Sequence, residues 1–162
     1  MASLNADPAV MEFLGPLMSR VQTEAQLRAF DDEWVRLNYG LLCVTRHDDD
    51  RCLGFIGLHV PTFEAPFLPA VEIGWRLATE AWGQGLATEG ASAVRRWAHD
   101  ELELDEIISI TAATNLRSQR VMTKIGLHRD ERDDFDHPRV DPASPLVHHV
   151  LFRGRRETPT SG

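Results

Sequence analysis

The segment 71–90 contains the residues best suited to bind a small ligand. Its central loop, 82–87 (WGQGLA), carries Gly83, Gly85 and Ala87 at alternate positions. Small residues let a ligand approach the backbone closely. A helix that starts directly after such a loop points its free N–H groups and the positive end of its dipole at the ligand. The loop therefore predicts a site for a phosphate or pyrophosphate group.

The residues on either side of the loop supply the elements that such a site needs. Before the loop, apolar residues recur with the period of a strand: Val71, Ile73, Trp75 and Leu77. After the loop, apolar residues fall on one helical stripe: Ala87, Ala91, Val94, Ala98 and Leu102. A glycine turn that merely joins two packed elements is the alternative, but the strand–loop–helix order favours a phosphate site.

Two nucleotide-binding motifs are rival interpretations of this loop. Gly83, Gly85 and an acidic residue about 20 positions later, Glu103, superficially fit the dinucleotide fingerprint. That acid should end the next strand, whereas the next apolar run, 107–113, ends in threonine and asparagine. Only about 50 residues remain after it, too few for the further βαβ units of a doubly wound domain. No GxxxxGK[ST] sequence is present, which excludes a Walker-type site as well.

Two motifs of the chain resemble those of the GNAT superfamily of acetyl-CoA-dependent N-acetyltransferases. The loop fits the superfamily motif Q/R-x-x-G-x-G/A at Gly85 and Ala87 and departs from it at Trp82. The second motif, N-x-x-[AS]-x-x-[LV]-[YM]-x-K-x-G-[FL], is met by Asn115, Ser118, Val121, Met122, Lys124, Gly126 and Leu127. The resemblance is greatest to the branch of ribosomal-protein-alanine N-acetyltransferases, and it covers most of the chain.

The resemblance implies acetyl-CoA as co-substrate and no metal ion. Backbone N–H groups near Arg76 and Leu77 resemble those that contact the pantetheine and the thioester carbonyl in the family, and the loop resembles the pyrophosphate site. Asn115 caps the next helix and, in the family, also faces the coenzyme. The expected coenzyme-binding residues are Arg76, Leu77, Trp82, Gly83, Gln84, Gly85, Leu86, Ala87, Thr88 and Asn115. For Trp82, a structural anchor of the loop is an equally valid interpretation.

The same resemblance suggests catalytic residues. Ser118 occupies the position that stabilises the departing thiolate in the alanine-acetyltransferase branch. Many superfamily members have a tyrosine acid where this chain has Met122. A thiol with a pKa near ~8.5 leaves acceptably as thiolate at neutral pH, so a hydroxyl donor can suffice. Glu72 and Asp136 are the candidates for the general base, and a surface ion pair and a solvated acidic loop (133–137) are their respective structural alternatives.

The composition limits the class of protein and its partners. The 162 residues, 43% of them hydrophobic, predict one domain (1–153) and a polar tail (154–162). A net charge of −8 argues against nucleic acid and suits an amine substrate, although an acidic surface also favours solubility. No apolar run approaches the ~18 residues of a membrane span. Cys43 and Cys52 lack a CxxC spacing, which favours the cytoplasm and structural roles. Four candidate metal ligands, Asp136, His137, His148 and His149, lack a recognised spacing.

The periodicity and the resemblance together predict a mixed α/β (α+β) fold. We expect a largely antiparallel sheet flanked by helices, with one parallel βαβ crossover. The expected helices are 8–14, 23–38, 88–102 and 116–124, and the expected strands are 41–46, 52–60, 71–77, 107–113, 127–132 and 146–152.

The family's first strand has no counterpart before the first expected helix. The strand 41–46 is therefore expected to form a sheet edge with unpaired N–H and C=O groups, blunted only by Arg46. Such an edge invites pairing with a second subunit. We expect a homodimer through this edge, or a coding start upstream of Met1.

The sequence thus predicts an N-acetyltransferase that transfers acetyl from acetyl-CoA directly to a primary amine, on a small molecule or a protein N-terminus. No cysteine or serine is paired with a base, so no covalent enzyme intermediate is expected. The alternative is a non-catalytic regulatory module that binds coenzyme A or a nucleotide, an interpretation kept open by the missing tyrosine acid.

Overall fold

A computed structural model describes residues 1–46 and 49–156 of the chain. Within these residues, helices and strands follow one another as α1 (Ala2–Asn5), α2 (Pro8–Met11), α3 (Arg20–Leu37), β1 (Leu41–Arg46), β2 (Asp49–His59), β3 (Glu72–Leu77), α4 (Leu86–Asp100), β4 (Glu106–Ala112), α5 (Leu116–Lys124), β5 (His128–Arg129), β6 (Phe135–Asp136) and β7 (His148–Arg155). Short 3-10 turns lie at Thr79–Ala81 and Glu131–Asp133. None of the helices in this part of the chain is long and apolar enough to cross a membrane.

The strands form one mixed sheet in the order β1-β2-β3-β4-β7-β5, with β6 also paired to β7. Every neighbouring pair is antiparallel except β3 and β4, which are parallel and are connected through α4. The predicted fold class, with its single parallel crossover, is confirmed. Within the described residues β1 lies at the edge of the sheet, as expected. Self-association through this edge stays a prediction, which light scattering would test.

The start of α3 differs from the sequence expectation. The helix begins at Arg20 rather than Thr23, because Ser19 and Gln22 form a capping box in which each side chain accepts a hydrogen bond from the other's backbone N–H. Thr23 is instead buried, and its hydroxyl accepts a hydrogen bond of 3.1 Å from Asn5 Nδ2. This contact ties the N-terminal helices to α3.

The C-terminal part also departs from the expected pattern. The strand expected at 127–132 is reduced to β5, because Asp130 caps the 3-10 turn that follows. Strand β7 extends to Arg155, opposite Glu106, so 154 and 155 lie in the sheet rather than in the predicted tail. Residues 157–162 of that tail, and 47–48 between β1 and β2, lie outside the described residues.

The main core lies between the sheet and α4 and α5. Helix α4 buries Ala91, Val94 and Ala98, which confirms the centre of its predicted apolar stripe, whereas Leu102 lies beyond the end of the helix. Gly90 allows α4 to approach β2 closely, because a Cβ atom there would lie only 2.5 Å from Ile56 Cδ1. This packing fixes the position of the loop that precedes α4 relative to the sheet.

The opposite face of the sheet carries the polar residues of interest. The register of β2 and β3 places three cross-strand pairs on this face, His59–Glu72, Gly57–Gly74 and Phe55–Arg76. The pairing of β3 with β4 is short. Its register consists of Glu72 opposite Ile108, extended by a 2.8 Å hydrogen bond from Ser109 Oγ to the Ile73 carbonyl. The residues that follow in both strands line a cavity.

Candidate active site

A cavity of about 890 Å³ runs through the point where β3 and β4 part. One end, called here the loop end, is formed by residues 82–88 and by α5. The other end, the helix end, is formed by α2, α3 and the polar face of β2 and β3. The volume lies within the range of sites for small molecules and cofactors. The cavity is therefore large enough to hold two substrates that meet between the strands.

The loop end has an open, positively polarised backbone. Gly83 and Gly85 have φ values of +72° and +83°, and a Cβ atom at either position would meet no other atom within 4 Å. Gly85 is also the N-cap residue of α4. The first-turn N–H groups of a helix have no acceptor within the helix. The sequence prediction of a phosphate-binding loop is thus matched by a backbone with the right shape and dipole.

Trp82 anchors this loop. Its Nε1 donates a 2.8 Å hydrogen bond to the Leu77 carbonyl, and the Arg117 guanidinium lies 4.8 Å from the centre of its ring. Gln84 is the one predicted coenzyme-binding residue that does not line the cavity. Its amide bonds instead to Arg46 and to the Glu80 carbonyl, both at 2.6 Å. Gln84 can therefore contribute its backbone to the site, but its side chain points elsewhere.

Helix α5 adds positive charge that the sequence analysis missed. Arg117, Arg120 and Lys124 all line the cavity. They stand at positions i, i+3 and i+7, which share one face of a helix. The same spacing is visible in the sequence, and it is the feature from which these three site residues could have been predicted. The loop end thus combines backbone donors with three cationic side chains, as a polyphosphate requires.

Asn115 and Ser118 lie at the start of α5 and also line the cavity. Asn115 Oδ1 accepts a hydrogen bond of 3.2 Å from the Ser118 N–H, and its Nδ2 donates one of 3.0 Å to Thr111 Oγ1. The predicted N-cap is confirmed. The cap fixes the first turn of α5, so Ser118 is held at the cavity wall.

Glu72 is the acidic residue of the cavity wall, and His59 is its partner. Glu72 is 8% exposed, and its Oε2 lies 3.2 Å from His59 Nε2. Burial lowers the pKa of His59, but the hydrogen bond and charge of Glu72 outweigh it, and the pKa is raised above its ordinary value. Glu72 is therefore a buried side chain whose charge favours the protonated form of the neighbouring imidazole.

The structure places Asp136, the other candidate base, away from the cavity. Its side chain is 72% exposed, and its Oδ1 lies 3.1 Å from His148 Nδ1. The two preceding acids of the same loop, Asp133 and Asp134, pair with arginines, and Phe135 packs among the aromatic rings of a neighbouring loop. The acids of this loop thus form ion pairs with neighbouring side chains. The exposed position of Asp136 agrees with the alternative interpretation of a solvated acidic loop.

Arg76 contributes more than the backbone contact expected of it. Its side chain turns into the helix end, where Nη1 donates a 2.6 Å hydrogen bond to Asn5 Oδ1 and the guanidinium lies 5.3 Å from the centre of the Phe55 ring. Burial lowers the pKa of Arg76 to about 10. The surface ion pair with Glu72 considered from the sequence does not form within the described residues.

The residues that line this cavity are chemically suited to acetyl-CoA. The open glycines and the cations of α5 suit its phosphates, and the parting of β3 and β4 offers a passage for a slender pantetheine arm. Among residues 1–46 and 49–156, no group of three or more His, Cys, Asp or Glu side chains is arranged to hold a metal ion.

Comparisons with known proteins agree with this geometry. A family model described as an acetyltransferase (GNAT) domain matches residues 1–128. The chain is 30% identical over 125 residues to an uncharacterized N-acetyltransferase, YnaD, of Bacillus subtilis, which covers 77% of this chain and 69% of that protein. It is 42% identical over 71 residues to the FsC-acetyl coenzyme A-N(2)-transacetylase of Aspergillus fumigatus, a match that covers 42% of this chain and spans 30% of that relative's length.

The fold comparison points the same way. A crystal structure of an acetyltransferase from Agrobacterium tumefaciens superposes with a TM-score of 0.74 at 24% identity, covering 96% of this chain and 82% of that one. At that identity the likeness concerns the fold. Together with the family match, it identifies the chain as a member of the GNAT acetyltransferase family, whose members are acetyl-CoA-dependent acyltransferases.

Proposed function

We propose that this acyltransferase transfers the acetyl group of acetyl-CoA directly to a primary amine bound at the helix end. The observation that carries the proposal is the pair of buried Glu72 with half-buried His59, which lines the same cavity as the loop at 83–88. The pair places a proton acceptor beside the point where β3 and β4 part. An acyl acceptor that must lose a proton on attack, as an amine does, suits such a site.

The proposal assigns coenzyme binding to the loop end. The backbone of residues 83–88 binds the pyrophosphate, and Arg117, Arg120 and Lys124 neutralise its charge. The backbone of Arg76 and Leu77, at the end of β3, holds the pantetheine and polarises the thioester carbonyl. Asn115 positions the start of α5 and faces the coenzyme. Bound acetyl-CoA supplies the activated acyl group, and the chain's own residues handle the protons.

Glu72 and Ser118 have the proton-handling roles. Glu72 accepts the proton that the attacking amine loses, and His59 holds the carboxylate in place. The Ser118 hydroxyl donates a hydrogen bond to the sulfur of the departing thiolate. No cysteine lines the cavity among the described residues, and both Cys43 and Cys52 are exposed. These facts support direct transfer rather than a covalent enzyme intermediate.

The second sequence motif supports placement near the ribosomal-protein-alanine branch, and with it a protein N-terminus as one class of acceptor. A small-molecule amine is the other class. The regulatory-module alternative is not favoured, since family membership and a buried base in the cavity both indicate an enzyme.

A panel of small primary amines and short peptides with free N-termini tests the proposal. We expect free thiol to be released from acetyl-CoA only when certain amines are present, at a rate that rises with pH near the amine's pKa. Alcohols of the same shape should release none. Acetyl-CoA binding without amine-dependent thiol release across the panel would support the regulatory module instead.

Substitution of Ser118 by alanine tests the role of its hydroxyl. We expect kcat to fall by roughly ten- to a thousand-fold with little change in KM, because the hydrogen bond acts on charge that develops in the transition state. Ser118→Thr, which keeps a hydroxyl, should retain most of the activity. An alanine variant with the parent's kcat would remove Ser118 from the mechanism.

A further inference from the structure

Arg76 is a partly buried cation without a countercharge among the described residues. Within the described residues its guanidinium donates a hydrogen bond to the neutral amide oxygen of Asn5, and no carboxylate pairs with it. Its Nε atom is buried and has no hydrogen-bond partner in this part of the chain. Desolvating a charge without pairing it is costly, and each unsatisfied buried donor adds to the cost. An unsatisfied buried donor in a native structure calls for an explanation, and an anion bound during function is one.

The neighbours of Arg76 hold it rather than neutralise it. Asn5, which is fully buried, uses its Nδ2 to bond Thr23 and Gln26 of α3, so its amide is fixed with Oδ1 directed at Arg76. The Phe55 ring packs against the guanidinium. This scaffold orients the planar donor fork within a cavity that already contains Gln26 and Phe55. An oriented guanidinium matches the geometry of a carboxylate.

Arg76 and Glu72 stand on the same face of β3 with Gly74 between them. Four residues along a strand span about 13 Å between Cα atoms, so an acceptor placed between them can face both side chains. A Cβ atom at Gly74 would find only His59 Nε2, at 4.0 Å, so the floor between the two charges is open. Phe13, Phe30 and Phe55 supply apolar walls around it. The helix end therefore offers a base at one side, a cation at the other and an apolar surround.

Given the proposed function, on which this step rests, we infer that the acceptor is a primary amine that also carries a carboxylate, which Arg76 binds while the amine faces Glu72. Amino acids, and peptides with an acidic side chain near their N-terminus, share this chemistry. Among the described residues, Arg76 is the only arginine or lysine that lines the helix end, which matches one carboxylate better than a phosphate dianion. The apolar walls favour acceptors with a hydrophobic body.

Paired substrates test the inference. Leucine and phenylalanine are compared with their amides, which keep the amine and the apolar body but lose the negative charge. The panel also contains amino acids with a longer distance between amine and carboxylate. It further contains phosphoethanolamine and a pair of peptides that begin with alanine and carry aspartate or asparagine at the second position. Each kcat/KM ratio of acid to amide is measured for the parent, Arg76→Met and Arg76→Lys. The exposed Arg96→Met on α4 is the matched control for loss of an arginine charge.

We expect Arg76→Met to lower the acid-to-amide ratio by about ten- to a hundred-fold, the usual effect of losing a hydrogen bond between charged groups. The comparison cancels the different reactivities of the two amines, since each pair is measured on both proteins. Arg76→Lys should recover part of the ratio, and Arg96→Met should leave it unchanged. The free acids and the peptides distinguish the two sources of the carboxylate.

Several outcomes would overturn the inference. The acid-to-amide ratio of kcat/KM could be the same for the parent and for Arg76→Met. The enzyme would then not use the charge of Arg76 to bind the acceptor, and Arg76 would serve only as a structural contact between β3 and α1. A preference for phosphoethanolamine over every carboxylate would replace the carboxylate by a phosphate. If Arg76→Met does not fold, the parent and Arg76→Lys still give the comparison.

Failure of the proposed function gives a different result. Calorimetry of the parent with coenzyme A and each acid or amide measures acceptor binding without turnover. Selective binding of the acids, lost in Arg76→Met, supports the inference even if no acetyl group is transferred. The inference is contradicted if no carboxylate-bearing amine is either bound or acetylated.

Discussion

Replacement of Gly85 by aspartate is expected to reduce acetyl-CoA affinity by about a hundred-fold or more. Gly85 is the N-cap residue of α4, and a Cβ atom at this position points into open space at the loop end. An aspartate would place negative charge where the proposal puts the pyrophosphate. Repulsion would then replace the attraction of the helix N-terminus and of the arginines of α5. Isothermal calorimetry with acetyl-CoA measures the change.

Gly85→Ala is the matched control for backbone strain. Its φ of +83° strains any residue with a side chain, at a cost of roughly 1–2 kcal/mol. The alanine variant should lose stability on heating to a similar degree as the aspartate variant, yet keep most of its affinity for acetyl-CoA. Equal affinities of the parent and Gly85→Asp would show that the coenzyme binds elsewhere.

Glu72→Gln is expected to lower kcat at neutral pH by roughly a hundred- to ten-thousand-fold, the usual contribution of a general base. Glutamine keeps the size of the side chain and its hydrogen bonding but cannot accept a proton. Activity should recover as the pH approaches the pKa of the acceptor amine, because more of the amine is then neutral. A pH–rate profile of kcat and kcat/KM for both proteins gives the measurement.

The same substitution has a second readout that is independent of turnover. The pKa of His59 is raised by the charge of Glu72 against the effect of burial, so removing that charge should lower it. Proton NMR titration of the His59 ring reports this change. Asp136→Asn serves as the activity control, since Asp136 lies outside the cavity. An unchanged pH–rate profile in Glu72→Gln would remove Glu72 as the base.

The strand, loop and helix of the coenzyme site could be predicted because their determinants are local. The alternating apolar residues of β3, the glycines at 83 and 85 and the Asn115 cap each act within a few positions of the chain. The start of α3 was missed although its capping box is also local, because Thr23 offered a plausible competing cap. Local sequence patterns thus predicted where the site lies, but they did not distinguish between two possible N-cap residues that are close together in the sequence.

The roles of the charged side chains depended on contacts that the sequence does not display. The sequence made Asp136 a plausible base, but the pairing of β6 with β7 places its side chain beside His148. His59 was not considered, because its contact with Glu72 arises only from the register of β2 and β3. Arg76 bonds to the neutral side chain of Asn5, 71 positions away in the sequence, and not to a carboxylate. Charges take their function from long-range neighbours, which periodicity does not reveal.

Mass spectrometry of a single reaction mixture tests the central claim, direct transfer of acetyl from acetyl-CoA to an amine. The parent protein is incubated with acetyl-CoA alone, and then with an amine that releases thiol in the panel. The account predicts a protein of unchanged mass in the first sample. In the second it predicts acetylated amine and free coenzyme A in equal amounts, both suppressed in Glu72→Gln. An acetylated protein that forms without the amine and passes its acetyl group on, or thiol release without acetylated amine, would contradict the account.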